Sequence, residues 1–304
     1  MNEHRFDGRV AIVTGAGRGL GRAYAQLLAR RGAAVVVNDL GGSIGGSGSD
    51  ASVASGVADE ITAAGGVAIA DAHDVSTVDG ADALVDAAVE AFGRVDALVN
   101  NAGIMRWAAF PEADAENLAS HLAVHVGGSF NTARAAWPHL VDQGYGRIVM
   151  TTSTGMLGLP NNLSYAAAKG AVIGLTRSLA TAGAAHGIAV NAIAPGALTR
   201  MAGRAGTDAS GGPGAESGPM SPDLVAPMVA YLAHEACPVS GEVYAAGFGR
   251  FARLFIASTE GYVHSTADPT IEDVAEHWSA INDEAGYSVP ADLTEWSAGF
   301  MTHL

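Results

Sequence analysis

The sequence predicts an α/β fold built on a doubly wound parallel β-sheet. Through the first half of the chain, short β-branched runs alternate with longer Ala- and Leu-rich stretches of helical period. The short runs are almost continuously apolar, which is typical of parallel strands buried on both faces. With 304 residues, 49% of them hydrophobic, the chain can bury one large core. We therefore expect one main domain over residues 1–250 and a C-terminal helical extension over 251–304.

Six runs predict strands, and five longer segments between them predict helices. The strands are Val10–Val13, Ala34–Asn38, Val67–Ala70, Ala97–Asn100, Arg147–Thr151 and Ile188–Ala192. The helices are Leu20–Arg31, Ser52–Ala64, Gly80–Phe92, Glu112–Asp142 and Tyr165–His186. A further helix is expected over 268–285, with Asp268 and Pro269 as its cap and first turn. Its apolar face consists of Ile271, Val274, Trp278 and Ile281.

Two glycine-rich segments, Leu40–Asp50 and Gly196–Pro222, interrupt the alternation. Loops of more than about 12–15 residues within a compact domain are usually binding loops or lids, or else disordered. For the longer of the two, Gly196–Pro222, we expect a binding role, with disorder as the alternative.

Charge and cysteine content exclude several classes of function. The net charge is -15, and residues 254–304 carry nine acidic side chains and no Lys or Arg. Such a chain is repelled by nucleic acid and by anionic membranes. Cys237 is the single cysteine, so we expect no intrachain disulfide, no metal site and a small buried side chain. The polar segment 1–10 and the absence of a long apolar run favour a cytoplasmic location.

A glycine-rich turn between the first strand and the first helix suits phosphate binding. Thr14 to Gly21 spells G-x-x-x-G-x-G, and its backbone N–H groups and the helix N-terminus can hold a pyrophosphate. Asp39 ends the second strand, where a carboxylate can accept hydrogen bonds from an adenosine ribose. It would repel a 2′-phosphate and so favours NAD over NADP, whereas Arg18 favours NADP. No basic residue adjoins Asp39 in the sequence, so we expect NAD.

A second pattern predicts acid–base chemistry. Lys169 is the only lysine among 16 basic residues, and Tyr165 precedes it by one helical turn. An adjacent cation favours a phenolate and is expected to lower the pKa of Tyr165. Upstream, the hydroxyl residues 151–154 follow the fifth strand and can hold a substrate oxygen against the phenol.

Together these motifs resemble the short-chain dehydrogenase/reductase family over roughly residues 6–250. The resemblance also includes Asn100–Gly103 and Ala194–Gly196. It implies a seven-stranded Rossmann-type sheet, hydride transfer at nicotinamide and a homodimer or homotetramer. It further implies that Tyr165 is the acid/base, that Ser153 binds the substrate oxygen and that Lys169 binds ribose. The cofactor-binding positions implied are Gly15, Gly17, Arg18, Gly19, Leu20, Gly21, Asp39, Asp74, Val75, Asn101, Ala102, Gly103, Tyr165, Lys169, Pro195, Gly196, Leu198 and Thr199.

Two positions depart from the usual family pattern. His125 replaces the Asn that usually supports a proton-relay water; an imidazole can hold that water or join the proton path near its own pKa. The interval from Ser153 to Tyr165 is one residue shorter than usual. Thr152 is therefore an alternative to Ser153, which we favour because a deletion in a loop is easily absorbed.

Further stretches resemble the (3R)-hydroxyacyl-CoA dehydrogenase region of peroxisomal multifunctional enzyme type 2 and bacterial 17β-hydroxysteroid dehydrogenases. They include Arg5–Val10, Gly21–Ala25, Val36–Gly42 and Val124–His125. The resemblance implies NAD-dependent oxidation of a bulky secondary alcohol, either a (3R)-hydroxyacyl-CoA or a 17β-hydroxysteroid. The candidate CoA-binding arginines are Arg106, Arg200, Arg204, Arg250 and Arg253, and the candidate apolar lining is Met105, Trp107, Met156, Leu157, Leu159 and Met201.

Two other functions remain open from the sequence. An NADP-dependent ketoreductase would need Arg18 to outweigh Asp39. A non-catalytic NAD-binding scaffold would account for His125 and for the shortened Ser–Tyr interval. The acidic C-terminal tail is expected to cover the substrate cleft, to pack across a subunit interface or to cap its own domain.

Overall fold

A computed structural model describes residues 3–202, 218–264 and 268–302. The chain divides into two compact units, Met1–Arg253 and Leu254–Leu304.

The first unit is built around a twisted sheet of eight strands, with parallel pairing throughout β1 to β7. The strands are β1 Val10–Thr14, β2 Ala34–Asn38, β3 Val67–Asp71, β4 Ala97–Asn100, β5 Gly146–Thr151, β6 Ile188–Gly196, β7 Val243–Gly247 and β8 Arg250–Leu254. Their order in the sheet is β3-β2-β1-β4-β5-β6-β7-β8. The predicted doubly wound parallel sheet is confirmed, with one strand, β8, beyond the expected seven. The strand order reverses between β1 and β4, which is where such sheets bind ligands.

Helices cover both faces of this sheet. They are α1 Gly19–Arg30, α2 Ser52–Ala63, α3 Val78–Phe92, α4 Ala115–His121, α5 Ser129–Gln143, α6 Leu163–Gly183 and α7 Ala226–Leu232. The helix predicted over Glu112–Asp142 is present from Ala115 to Gln143, but it is not α-helical throughout. Asp114 caps α4 by accepting the N–H of Asn117, and a π-helical segment, Leu122–Gly128, separates α4 from α5. Short π-helical segments within α-helices are frequent at functional sites, and the hydrophobic periodicity of a sequence does not reveal them.

The core explains why the predicted strands are so uniformly apolar. Ile12, Val13, Val35, Leu98 and Val149 are each fully buried, because helices cover both faces of the strands that carry them. Cys237 is buried and free, as expected.

The second unit contains α8 Ile271–Glu276, α9 Trp278–Ile281 and α10 Leu293–Phe300. The single helix expected over 268–285 is therefore two short helices. Its predicted cap is also wrong, because Thr270 and Asp273 form a capping box in place of Asp268 and Pro269. The predicted apolar face is largely exposed at Ile271, Val274 and Trp278.

Within the described residues, none of the helices has both the length and the apolar character needed to cross a membrane.

Candidate active site

A cavity of about 680 Å³ opens at the carboxyl ends of β1 and β4 and is lined by the glycine-rich turn. Arg18 is the N-cap of α1, but no side chain caps the helix and no acidic residue occupies its first turn. The N-terminal N–H groups of α1 are thus available to an anionic ligand. Gly21 packs so closely on the carbonyl of Gly15 that a Cβ there would collide with it. These features fit the pyrophosphate of a dinucleotide.

Asp39 lies at the rim of the cavity in a fixed orientation. Its Oδ2 accepts the N–H of Gly17 at 2.9 Å, and its Oδ1 accepts the N–H of Gly41 at 2.7 Å. Two arginines, Arg18 and Arg200, line the same cavity. The pKa of Arg200 is lowered, mainly by burial and also by the charge of Arg18, and the charge of Asp39 partly opposes this fall. Asp39 therefore has basic neighbours in space although it has none in sequence.

The cavity brings together most of the predicted cofactor-binding residues. Those that line it are Gly15, Gly17, Arg18, Gly19, Leu20, Gly21, Asp39, Asp74, Val75, Asn101, Ala102, Gly103, Leu198 and Thr199. Pro195 and Gly196 do not, because they end β6 and pair with Ala246 and Gly247 of β7.

Sequence reasoning missed two groups of residues around this cavity. Ile44 and Gly46 of the glycine-rich segment Leu40–Asp50 belong to the lining. Asn131 of α5 donates to the carbonyl of Val75 at 3.3 Å and to that of Ser76 at 3.2 Å. It thereby holds the segment that contains the expected cofactor-binding residues Asp74 and Val75. The glycine-rich composition signalled the first group; no local pattern signalled the second. Most of the other predicted loop, 203–217, lies outside the described residues.

Ser153 and Tyr165 lie side by side beyond the cavity. Ser153 caps a short 3₁₀ helix, its Oγ accepting the N–H of Gly155 at 3.0 Å. A Cβ on Gly155 would lie 3.3 Å from that Oγ and 3.4 Å from a ring carbon of Tyr165. Asn162, the N-cap of α6, accepts the N–H of Tyr165 at 3.2 Å and so fixes the start of the catalytic helix. The hydroxyl of Ser153 and the phenol of Tyr165 thus lie within reach of one another.

Lys169 is buried one turn further along α6. Its Nζ donates to the carbonyl of Thr151 at 2.7 Å and lies 5.7 Å from the centre of the Tyr165 ring. Thr152 is fully buried and donates to the carbonyl of Lys169 at 2.6 Å. Since its hydroxyl is already engaged with the backbone of α6, Thr152 anchors this helix to the end of β5. Ser153 is the hydroxyl of the two that faces Tyr165.

The two pKa values differ from the expectation. Burial lowers the pKa of Lys169 to about 7. Burial also raises the pKa of Tyr165, although a hydrogen bond with Ser153 partly opposes the rise. The expected lowering of the Tyr165 pKa by a neighbouring cation is wrong for the protein alone. The physical reason is that both groups lose solvation when α6 packs against β5.

His125 connects the catalytic residues to the cavity. Its ring lies edge-on to Tyr165, with centroids 5.4 Å apart, and a Cβ on Gly103 would lie 2.5 Å from it. Its Nε2 is 2.9 Å from the carbonyl oxygen of Ile104. Its Nδ1 is buried and has no partner among the described residues. Burial and the charge of Lys169 hold the pKa of His125 well below its ordinary range, so the ring is neutral at pH 7.

Only some of the predicted substrate-binding residues lie at the cavity. Of the expected apolar lining, Met201 borders the cavity, whereas Met105 is buried and Leu157 is 75% exposed. Arg106 and Arg253 are each paired with a carboxylate, from Glu116 and Glu242 respectively. Arg250 is exposed, and Arg204 lies outside the described residues. Among the described residues no group of three His, Cys, Asp or Glu side chains could hold a metal ion.

This arrangement matches known proteins over most of the chain. The family model for short chain dehydrogenases matches residues 9–209. The chain belongs to the short chain dehydrogenase family. Its fold and its cavity are accordingly those of an oxidoreductase that uses a nicotinamide dinucleotide.

Individual relatives are similar over nearly the whole chain. A putative short-chain type dehydrogenase/reductase of Mycobacterium tuberculosis is 42% identical over 92% of this chain and 96% of that protein. Peroxisomal multifunctional enzyme type 2 of Drosophila melanogaster is 44% identical over 92% of this chain, which spans 46% of that enzyme. The crystal structure of a short chain dehydrogenase from Mycobacterium avium matches with a TM-score of 0.78 at 37% identity, covering 91% of this chain and 97% of that one.

Proposed function

We propose that the protein oxidises a secondary alcohol of a bulky lipid-like substrate, with NAD as hydride acceptor. The observation that carries the proposal is the placement of Ser153 against Tyr165, with Lys169 behind them and the dinucleotide cavity adjoining through His125 and Gly103. This is the geometry needed to remove a proton from an alcohol while its carbon gives up a hydride. The complete set of polar groups disfavours a non-catalytic scaffold.

Each side chain has a defined task in the proposed reaction. Ser153 holds the alcohol oxygen by a hydrogen bond, and Tyr165 takes the hydroxyl proton. Lys169 binds the ribose and supplies positive charge, and the buried, unpartnered Nδ1 of His125 can hold a relay water. When bound, the nicotinamide supplies the hydride acceptor.

The choice of NAD rests on Asp39. Its carboxylate is fixed by Gly17 and Gly41 at the rim of the cavity, where it would repel a 2′-phosphate. Arg18 and Arg200 in the same cavity favour the second candidate, an NADP-dependent ketoreductase. Asp39→Asn is expected to raise kcat/KM with NADP relative to NAD at least about tenfold, a change of ~1.4 kcal/mol.

The control for this variant is Asp59→Asn, which removes one exposed charge on α2 that does not line the cavity. If wild type already prefers NADP, or if the two variants change the ratio equally, the assignment of NAD to Asp39 is wrong.

The substrate class can be tested directly by NADH fluorescence. Wild-type protein with NAD⁺ is offered a (3R)-hydroxyacyl-CoA and, separately, a 17β-hydroxysteroid. We expect turnover of at least one, because the relatives include a peroxisomal hydratase-dehydrogenase-epimerase of Saccharomyces cerevisiae, 40% identical over 91% of this chain. Tyr165→Phe should lower kcat about 10²- to 10⁴-fold and leave the Kd for NADH unchanged. Full turnover by that variant would refute the mechanism.

We also propose that the chain forms a homodimer or homotetramer in a cytoplasm-like reducing compartment. The support for association is the exposure of three large apolar side chains on α4 and the segments that follow it, Leu118, Leu122 and Phe130. The support for a reducing compartment is the free thiol of Cys237. Light scattering should give a mass at least twice 30.6 kDa.

A further inference from the structure

A three-residue strap, 104–106, lies between the dinucleotide cavity and the catalytic helix. Ile104 lines the cavity, and the N–H of Met105 donates to the carbonyl of Ile44 at 2.8 Å. The Met105 sulfur accepts a hydrogen bond from Asn162 at 2.9 Å. Because Asn162 caps α6 at Tyr165, the strap joins the glycine-rich segment 40–50 to the start of the catalytic helix.

The far end of the strap is held by two side chains from α4. His121 Nε2 accepts the N–H of Arg106 at 3.2 Å, and Asn117 Nδ2 donates to the carbonyl of the same residue at 3.0 Å. The backbone N–H and the carbonyl of Arg106 are therefore both hydrogen-bonded by side chains that lie four residues apart on one face of α4. His121 Nδ1 donates to the carbonyl of Asn117 at 2.8 Å, which fixes the neutral tautomer that leaves Nε2 free to accept.

The two side chains that hold Arg106, those of Asn117 and His121, form a clamp that is buried and packed against other rings. Asn117 is 8% exposed and His121 is fully buried. The His121 ring stacks on His125 with an interplanar angle of 9° and lies edge-on to Tyr165 at 6.2 Å. Neither Asn117 nor His121 belongs to the cavity lining.

We propose that Asn117 and His121 are positioning residues: they clamp the strap at Arg106 and thereby hold Asn162 and Tyr165 in the orientation that proton transfer requires. This proposal rests on the proposed function, because it assigns the residues to the alcohol oxidation at Tyr165. It needs no direct contact between the clamp and the substrate or dinucleotide.

Two substitutions of His121 separate the contribution of its ring from that of its hydrogen bonds. His121→Phe keeps a flat ring and removes both hydrogen bonds, whereas His121→Gln keeps an oxygen that can accept the Arg106 N–H. Asn117→Ser tests the other half of the clamp. His186→Gln is the matched control, since His186 is exposed in a 3₁₀ turn after α6.

The first measurement is amide hydrogen exchange, by mass spectrometry, of peptides that contain residues 104–106. We expect exchange in His121→Phe and Asn117→Ser to be at least about tenfold faster than in wild type, corresponding to ~1.4 kcal/mol. His121→Gln should recover most of the protection. Wild-type protection in His121→Phe and Asn117→Ser would overturn the clamp, whether or not the protein turns over any alcohol.

The second measurement is steady-state kinetics with the alcohol that wild type oxidises. His121→Phe should lower kcat at least about tenfold with little change in the Kd for NADH, and His121→Gln should restore most of kcat. Faster exchange with wild-type kcat would overturn the positioning role. So would an equal loss in both His121 variants accompanied by weaker NADH binding, which would indicate general disruption. If wild type oxidises neither test alcohol, the proposed function fails, while the exchange experiment still decides the clamp.

Discussion

At the scale of single residues, the hydroxyls of neighbouring side chains have different tasks. Ser153 faces the Tyr165 ring, whereas Thr152 is fully buried and donates to the carbonyl of Lys169. We expect Ser153→Ala to lower kcat about 10²-fold, since it removes a contact to the substrate oxygen. It also removes the side-chain cap on the Gly155 N–H, which should lower the stability by about 0.5–2 kcal/mol.

Thr152→Val is the contrasting variant for this prediction. It leaves the buried carbonyl of Lys169 without its side-chain donor, which costs about 1–3 kcal/mol of stability. Thermal unfolding and kcat are measured on both variants. A larger loss of kcat in Thr152→Val than in Ser153→Ala, at equal stability, would exchange the two roles.

Burial of Lys169 predicts a pH-dependent cost in stability. Its pKa falls from 10.5 to about 7 on folding, so the unfolded chain binds more protons between these pH values. Wild-type stability therefore gains from this group as pH rises from about 7 to about 10.5, by up to ~1.4 kcal/mol for each pH unit.

Lys169→Met removes that proton binding. Its stability relative to wild type should be greatest near pH 6 to 7 and should decrease toward pH 10. Denaturant unfolding across this range measures the difference. A difference that does not depend on pH would mean that Lys169 keeps an ordinary pKa in the folded protein. Activity should be lost at every pH, because the variant lacks the Nζ group beside Tyr165.

At the scale of helices and strands, two helical glycines, Gly56 and Gly183, differ in the space available for a side chain. Gly56 in α2 is exposed, and an added Cβ would meet nothing within 4 Å. Gly183 ends α6, where a Cβ would lie 2.7 Å from the carbonyl oxygen of Ile188 in β6. Helix propensity alone would favour alanine at both positions.

We therefore expect Gly56→Ala to raise the free energy of unfolding by about 0.5–1 kcal/mol. Gly183→Ala should lower it by about 1–3 kcal/mol, because the backbone of α6 or β6 must shift. Urea unfolding of the two variants tests this pair. Equal effects would show that α6 and β6 do not approach as closely as the structure indicates.

At the scale of the whole molecule, the described residues that form the cavity and the catalytic site all belong to the unit Met1–Arg253. The unit Leu254–Leu304 carries the acidic tail. Deleting residues 265–304 should leave the Kd for NADH unchanged, since no pocket-lining residue is removed.

The same deletion tests the expectations for the tail. A rise in the substrate KM would place it over the substrate cleft, and a fall in the mass measured by light scattering would place it at a subunit interface. Weaker NADH binding would contradict the assignment of the cavity to the first unit. The full-length chain, measured in parallel, is the reference for all three quantities.

The sequence determined the parts of this protein whose signals are local. Unbroken apolar runs placed six strands, the turn 14–21 located the cavity, and Tyr165 with the only lysine of the sequence located helix α6. Each of these signals follows from backbone geometry or side-chain chemistry within a few residues. Their positions in the fold then follow because parallel strands present their carboxyl ends at one edge of a sheet.

Only the tertiary structure decided how those parts are held together. The contact of Asn131 with Val75 and the contact of His121 with Arg106 join residues that are separated in the sequence. The lowered pKa of Lys169 and the raised pKa of Tyr165 likewise arise from packing of α6 against β5. Burial and long-range hydrogen bonding depend on the approach of separate elements, and no local pattern of residues encodes that approach.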